Sequence, residues 1–387
     1  MVPGKRYRKF SFVFLSAIFV LAGCSSNEPV DQPAEVPDVV ETVKFKTLWN
    51  VSVGDGHDGK YLHLQPTLMD ESLYAASADG ELVSVNPENG KVNWRRDLDQ
   101  TIMAGVGADP ERLYLVSENA NLLTFDGSSG EALWQASLPN EVIAPPQSNG
   151  SLVVAQTIDG KVLGFDAATG EKRWQYDGVV PVLTLRGSAA PVVGSEIVLA
   201  SLASGQLFAL STETGQPQWQ YTIGEAKGRT ELERLVDITA EPVIVDSAAL
   251  VVGYKGKLAA VDLRNGEEIW SRSMSSLRSP AIAYGNIFVA EANGTVTALQ
   301  GQNRQSVWSQ DQLRWRQLTR PVATEDYLLV GDFEGYIHAL SLLDGTFAGQ
   351  TKFSGDGLRV PFLRWQDQIL VYGNGGKLAA IQLVKKD

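Results

Sequence analysis

The chain has 387 residues and a formal net charge of −12, with 33 lysines and arginines against 45 aspartates and glutamates. This acidic balance excludes a non-specific nucleic-acid binder, which needs a basic surface. One cysteine and three histidines exclude an internal disulfide, a cysteine-based zinc site and an iron–sulfur cluster, and they leave little material for any metal centre.

Residues 1–23 are typical of a secretory signal peptide. Four basic residues precede an apolar stretch from Phe10 to Ala22, which is too short to span a bilayer because spanning needs about 20 residues. The stretch ends in Leu-Ala-Gly-Cys24, which resembles the lipobox of bacterial lipoproteins. We predict that residues 1–23 are removed and that Cys24 carries the lipid. The alternative is a small-residue cleavage site followed by an accidental cysteine.

Residues 24–43 predict a flexible tether, because they are rich in proline and acidic residues and have no apolar period. Loss of the signal peptide removes four positive charges and takes the net charge from −12 to −16. Ser25 follows the cysteine, where an aspartate would favour the inner membrane. We therefore predict a protein anchored by lipid to the outer membrane and facing the periplasm, with no other segment long or apolar enough to cross a membrane.

The rest of the chain is built on a repeat marked by tryptophan. Most tryptophans follow a turn glycine by fourteen residues and a second glycine by four. One copy reads LYAASADGELVSVNPENGKVNW. The repeated tryptophans, at intervals of 38 to 51 residues, are Trp49, Trp94, Trp134, Trp174, Trp219, Trp270 and Trp308. Four copies depart from the pattern. Ala120 replaces the first glycine of the second copy, Arg304 replaces the second glycine of the sixth, Gly349 replaces the tryptophan of the seventh, and the eighth ends before its tryptophan.

Each copy predicts four short antiparallel strands, which is the size of a propeller blade. Asp-Gly and Asn-Gly at the first turn are strong hairpin signals, because glycine accepts the positive φ of such turns. On the third strand, adjacent positions are bulky and small in all eight copies, so we expect both faces to be buried between blades.

The eight copies also predict how the ring closes. The eighth copy lacks its last strand, while residues 45–53 form an unpaired strand at the N-terminal end. Pairing these two would join the first blade to the last and remove the exposed edges of an open sheet. We predict an all-β fold with one domain over residues 44–387, an eight-bladed β-propeller of four-stranded antiparallel blades.

The blades, with their Gly-x-x-x-Trp turns, resemble those of the quinoprotein-like propellers. The lipobox, the blade count and the length resemble the BamB family, the propeller lipoproteins of the bacterial outer-membrane β-barrel assembly machinery (the BAM complex). Two segments between blades strengthen the resemblance: residues 181–187 resemble a PxLxLRG stretch, and residues 231–237 resemble the loop before the fifth blade.

In that family the two loops bind a periplasmic POTRA domain of BamA, the protein that inserts β-barrels. The resemblance therefore implies that Leu183, Leu185, Arg186 and Asp237 contact this partner. Thr239 stands where the family often has a second aspartate.

The spacing of the tryptophans points to the same loops. The intervals on either side of Trp219 are 45 and 51 residues, against 40 for a plain copy, and the extra residues must project at one rim. Leucines beside an arginine are suitable interface anchors. The alternative is that the leucines belong to the buried first strand of the fourth blade. Residues 230–233 resemble a capping box and predict a short helix.

The resemblance leaves a catalytic alternative, because related propellers are quinone-dependent dehydrogenases. Those enzymes are longer and use a vicinal disulfide and a calcium site, and this chain has no cysteine besides Cys24. We interpret Asp126, Asp166 and Asp262, which recur with the repeat, as turn supports. We expect a non-enzymatic scaffold that binds BamA and assists insertion of β-barrels. We expect it to have no cofactor. A quinoprotein dehydrogenase or a ligand-binding propeller is the alternative, and binding of unfolded client proteins is left open.

Overall fold

The structure is a computed structural model that describes residues 1, 4, 31–185, 187–224 and 228–386. The chain forms two units, residues 1–32 and residues 33–387. Cys24, Arg186 and most of the predicted signal peptide lie outside the described residues, and the predictions made for them stay predictions. Within the described ranges, no helix is long and apolar enough to cross a membrane.

The larger unit is an all-β propeller, as predicted, and its described residues form eight four-stranded antiparallel sheets. Each of blades one to seven takes four consecutive strands, starting from Thr67, and blade eight combines the last three strands of the chain with the first. In chain order the strands are β1 (Val43–Ser52), β2 (Thr67–Met69), β3 (Ser72–Ala76), β4 (Glu81–Val85), β5 (Val92–Asp97), β6 (Ile102–Ala108), β7 (Arg112–Ser117), β8 (Asn121–Asp126), β9 (Ala132–Ser137), β10 (Gln147–Ser148), β11 (Leu152–Gln156), β12 (Lys161–Asp166), β13 (Lys172–Asp177), β14 (Val192–Val193), β15 (Ile197–Leu202), β16 (Gln206–Ser211), β17 (Pro217–Thr222), β18 (Val243–Val245), β19 (Ala248–Val252), β20 (Lys257–Asp262), β21 (Glu268–Ser273), β22 (Ala281–Ala283), β23 (Asn286–Ala290), β24 (Val296–Gln300), β25 (Ser306–Gln310), β26 (Val322–Ala323), β27 (Tyr327–Gly331), β28 (Tyr336–Ser341), β29 (Phe347–Lys352), β30 (Leu363–Trp365), β31 (Gln368–Tyr372) and β32 (Lys377–Lys385).

The ring closes by pairing the two ends of the chain. Strand β1 runs antiparallel to β32, from the Val43–Lys385 pair to the Ser52–Lys377 pair. The first strands of neighbouring blades, such as β2 and β6 or β22 and β26, contact one another and so lie nearest the axis. The predicted closure is confirmed, and each blade packs between two others.

Tryptophans on the fourth strands join every blade except the seventh to the next one. The ring of Trp49 on β1 lies over Gly90 in blade one, where a Cβ would come within 2.7 Å of the ring. The indole N–H donates a 3.0 Å hydrogen bond to the Pro87 carbonyl oxygen of the same turn. The same kind of hydrogen bond runs from Trp94 to Gly127, from Trp134 to Ala167, from Trp174 to Thr212, from Trp219 to Leu263 and from Trp308 to Leu342.

The small positions of the third strands make room for these indoles. Ala209 lies directly opposite Trp219 in the β16–β17 register, and both Ala209 and its bulky neighbour Leu210 are fully buried. A larger side chain at the small position would collide with the indole, because cross-strand partners lie within about 5.5 Å of each other. The predicted burial of both faces is confirmed, and the small face is the one that carries the tryptophan.

Two departures from the repeat are explained by this contact between blades. Arg304, at the glycine position of blade six, has a φ of +62°, and its guanidinium lies 4.7 Å from the centre of the Trp270 ring. Stacking of the cation on the ring therefore replaces the packing of a glycine beneath it. Gly349 faces Val43 and Phe45 of β1, which occupy the space beside it in blade seven.

The described part of the predicted tether lies along blade seven. The Ala34 N–H donates a 2.9 Å hydrogen bond to the Arg314 carbonyl oxygen. The Arg316 guanidinium donates a 2.7 Å hydrogen bond to the Ala34 carbonyl oxygen. The Gln350 side chain donates a 2.9 Å hydrogen bond to the Pro37 carbonyl oxygen. The Thr42 N–H donates to blade seven at 2.7 Å. Residues 34–42 are thus docked on the propeller before β1 begins.

Candidate functional site

The two candidate loops lie on one face of the propeller. Residues 178–191 connect β13 to β14, and residues 223–242 connect β17 to β18. Both lead from the fourth strand of one blade to the first strand of the next. In a blade of four antiparallel strands, all such connections leave from the same side of the ring.

A buried carboxylate joins the two loops. One oxygen of Asp237, Oδ2, accepts the N–H of Leu185 at 3.1 Å, and Asp237 is fully buried. Asp237 also forms an isolated antiparallel bridge with Tyr254, whose N–H donates to the Asp237 carbonyl oxygen at 2.8 Å. Burial raises the pKa of the Asp237 carboxyl to about 6, although hydrogen bonds from the backbone of Leu185 and Ile238 act to lower that pKa. The carboxylate thus holds the first loop in place from within the second.

A second contact between the loops lies two residues further along each. A Cβ on Gly187 would come within 2.2 Å of the Thr239 methyl group, so only glycine fits against this side chain. The hydroxyl of Thr239 donates a 3.0 Å hydrogen bond to the Leu277 carbonyl oxygen of the next connection. Thr239, where the related sequences often have aspartate, is therefore a packing residue that links three adjacent connections.

Apolar side chains project from both loops. Leu183 is 40% exposed and its neighbour Val182 is fully exposed, while Leu232 in the second loop is 66% exposed. Leu235 and Val236 point inward and are buried, which anchors the second loop to the body. Exposed aliphatic side chains on a rigidly held loop can anchor a protein partner.

The capping box predicted in the second loop is present, but the described residues of that loop form no helix after it. Oε2 of Glu233 accepts the N–H of Thr230 at 3.2 Å, and the Thr230 hydroxyl accepts the N–H of Glu233 at 3.2 Å. Two further backbone hydrogen bonds, from Arg234 N–H to the Thr230 carbonyl oxygen at 3.1 Å and from Leu235 N–H to the Leu232 carbonyl oxygen at 3.4 Å, complete one turn. The helix prediction was wrong because the buried residues that follow draw the backbone into the body after that turn.

The recurring aspartates support turns, as predicted. Oδ1 of Asp126 accepts the N–H of Ser129 at 2.8 Å, and Oδ1 of Asp166 accepts the N–H of Thr169 at 2.9 Å. The Arg173 guanidinium and the Thr169 N–H lower the pKa of Asp166 to about 2. Within the described ranges, no group of three or more His, Cys, Asp or Glu side chains is arranged to hold a metal ion.

The four residues predicted to contact a partner occupy different environments. Leu183 is exposed, Leu185 is half-buried with its N–H bound to Asp237, and Asp237 is buried. Arg186 lies outside the described residues. Sequence reasoning missed Val182 and Leu232, although both are apolar residues in loops that the repeat pattern does not require to be apolar.

Comparisons with known proteins agree on one family. A family model described as "Outer membrane protein assembly factor BamB" matches residues 78–310. A protein of that name from Marinobacter adhaerens is 61% identical over 98% of both chains. Another from Pseudomonas aeruginosa is 45% identical over 95% of this chain and 97% of its own. The crystal structure of BamB from Moraxella catarrhalis has a TM-score of 0.80 at 25% identity, covering 88% of this chain and 100% of that one.

Proposed function

The chain belongs to the BamB family of outer membrane protein assembly factors, and from this premise we propose that it is a non-enzymatic scaffold of the β-barrel assembly machinery. Its role would be to bind the POTRA domains of BamA and so assist the insertion of β-barrel proteins into the outer membrane. Relatives that match along their whole length are named as assembly factors, which favours a scaffold over a quinoprotein dehydrogenase.

The observation that carries the proposal is the pair of loops joined through Asp237. Burial of Val182, Leu183 and Leu232 against a partner would remove their exposed apolar surface from water, at about 25 cal/mol per Å². The Leu185–Asp237 hydrogen bond and the packing of the loop bases order these side chains in advance. Less conformational entropy is then lost on binding, and the affinity gains accordingly.

The lipid on Cys24 would give the scaffold its place at the membrane. Anchoring both partners to one membrane raises their effective concentration, so a modest affinity is enough for stable association. Unfolded client proteins could also add a strand to an exposed outer strand of a blade, as in β-augmentation. That second contact would use the unpaired edge of the outermost strand of a blade.

The proposal is tested by recovering BamA with the full-length lipoprotein from detergent-solubilised outer membranes of the same organism. Leu183→Glu places a charge within the proposed contact. Leu343→Glu is the matched control, because Leu343 is 87% exposed in a turn of blade seven. We expect wild type and Leu343→Glu to recover BamA and Leu183→Glu to lose most of it. Failure of the wild-type protein to recover BamA, or equal recovery by all three, would contradict the proposal.

A further inference from the structure

A cavity of about 230 Å³ lies on the propeller axis. It is lined by the segments that precede the first strands of seven of the eight blades, and only a position on the axis can contact so many blades. Leu185 and Thr239 of the candidate loops line it as well. The cavity therefore lies at the end of the central channel on the face that carries these loops.

Three arginines converge on this cavity from consecutive blades. Arg278 precedes blade six, Arg320 precedes blade seven and Arg359 precedes blade eight, and all three line the cavity. Each lies one or two residues before the proline that leads into its blade. All three are partly accessible to solvent, as expected for side chains that face a narrow channel.

Neutral groups hold two of these guanidinium groups. Nη1 of Arg359 donates to the carbonyl oxygens of Lys60 and Leu62, at 3.1 and 3.3 Å, and the guanidinium lies 4.2 Å from the centre of the Tyr61 ring. Nε of Arg278 donates to a carbonyl oxygen at 3.2 Å. Among the described residues, no carboxylate oxygen lies within 4.0 Å of a guanidinium nitrogen of these three arginines, so none of them forms an ion pair there.

The other titratable side chains of the cavity leave an excess of positive charge. Glu241 is the one carboxylic acid among the described residues that line it, and burial raises the pKa of Glu241, opposed by the charge of Arg320. Burial, together with the charges of Arg278 and Arg359, holds the pKa of His63 well below its usual range, so His63 is neutral. Among the described residues that line the cavity, three positive charges thus face at most one negative charge.

This excess is costly unless an anion offsets it. Burial lowers the pKa of Arg278, and the charge of Arg359 adds to that effect, but arginine stays protonated in proteins. Like charges that converge in a poorly solvated space repel one another strongly. The remaining N–H donors of a guanidinium match the paired oxygens of a carboxylate or a phosphate. The chain as a whole is acidic, so this local reversal of sign is specific to the channel.

We propose that the central channel binds a small oxyanion, a carboxylate or a phosphate, through Arg278, Arg320 and Arg359. The site is independent of the proposed role in barrel assembly, because it requires only the charges and the cavity within this chain. Its place beside Leu185 and Thr239 puts the bound anion between the two candidate loops.

Citrate and inorganic phosphate are the probes, titrated separately into the purified full-length protein in detergent at constant ionic strength. Thermal unfolding and calorimetry report the binding. We expect a saturable rise in Tm with at least one probe, because a ligand that binds only the folded state stabilises it. Arg320→Gln should weaken the binding by about tenfold or more. Arg314→Gln, an exposed arginine on the connection between blades six and seven, is the control and should bind like wild type.

Glu241→Gln gives a test of opposite sign. Loss of the Glu241 carboxylate should tighten anion binding by about tenfold, because it removes a negative charge from a partly solvated channel. It keeps the proposal testable even if Arg320→Gln fails to fold. The probe that binds identifies the class of anion. No saturable binding of either probe by wild type would overturn the proposal, as would equal affinities in wild type, Arg320→Gln and Glu241→Gln.

Discussion

The carboxylate of Asp237 accepts the backbone N–H of Leu185 at 3.1 Å, across 52 residues of chain. This hydrogen bond joins the connection before blade four to the connection before blade five. The family resemblance suggests a contact made by Asp237 itself, but a fully buried carboxylate is placed to act through the loop that it holds. We therefore propose that Asp237 is a positioning residue for Leu183 and its neighbours.

The buried carboxyl of Asp237 should make stability depend on pH. Its pKa is raised from 3.8 to about 6, so its contribution to stability is complete below pH 3.8 and is lost as pH rises through 6. Between about pH 4 and pH 7, the stability of wild type relative to Asp237→Asn should fall by up to about 3 kcal/mol. Urea unfolding at several pH values measures this difference. Asp311→Asn is the control, because Asp311 is exposed. If the stability difference between wild type and Asp237→Asn changed with pH as little as the difference for Asp311→Asn, the raised pKa of Asp237 would be refuted.

The contact between Trp49 and Gly90 should be sensitive to a single methyl group. Gly90 and Gly285 have φ values of +75° and +73°, but a Cβ on Gly285 would meet nothing within 4 Å. Gly285→Ala should therefore cost only the strain of the left-handed conformation, about 1 kcal/mol. Gly90→Ala adds the collision with the Trp49 ring and should cost at least about 3 kcal/mol. Equilibrium unfolding in urea compares the two variants, and equal losses would show that the ring closure does not depend on this contact.

Arg316 ties the N-terminal segment to the interior of the propeller. Its guanidinium bonds to Asp332 at 2.8 Å, to Glu334 at 2.5 Å and to the Ala34 carbonyl oxygen at 2.7 Å, and both Arg316 and Asp332 are buried. Arg316→Met would leave the buried Asp332 carboxylate with His338, at 3.0 Å, in place of two partners, and breaking a buried ion pair typically costs about 3 to 5 kcal/mol.

Unfolding measurements and limited proteolysis of residues 31–42 report the two effects of Arg316→Met. We expect lower stability and faster cleavage of this segment. Arg314→Met, which removes only an exposed ion pair with Asp311, should change stability by less than about 1 kcal/mol. If Arg316→Met matched that control in both measurements, the buried network would have no role in docking the segment.

The blade pattern was predictable because one physical contact repeats around the ring. The repeated tryptophans have a small residue opposite them and, except for Trp270, a turn glycine beneath the ring, and both features leave a periodic trace in the sequence. The spacing of the residues did not predict which tryptophan packs against which glycine. Gly90 lies four residues before Trp94 in the chain, yet it packs against Trp49 of the neighbouring blade.

The candidate loops were predictable from their extra length, but the environment of each residue in them was not. A strand alternates between two faces, so a buried position can be inferred from its neighbours. A loop has no such period, and Leu183, Leu185 and Asp237 range from exposed to fully buried. Only the tertiary structure shows that Asp237 faces inward toward the backbone of Leu185.

The central claim is that this propeller binds BamA through the two loops, and calorimetric titration tests it most directly. The soluble fragment from Ser25 onward, which contains the whole propeller unit, would be titrated into the POTRA domains of BamA from the same organism. We predict saturable binding by wild type and by Arg314→Glu, and a loss of about tenfold or more in affinity for Arg186→Glu. Absence of binding by a well-folded wild type, or equal affinity of all three proteins, would contradict the account.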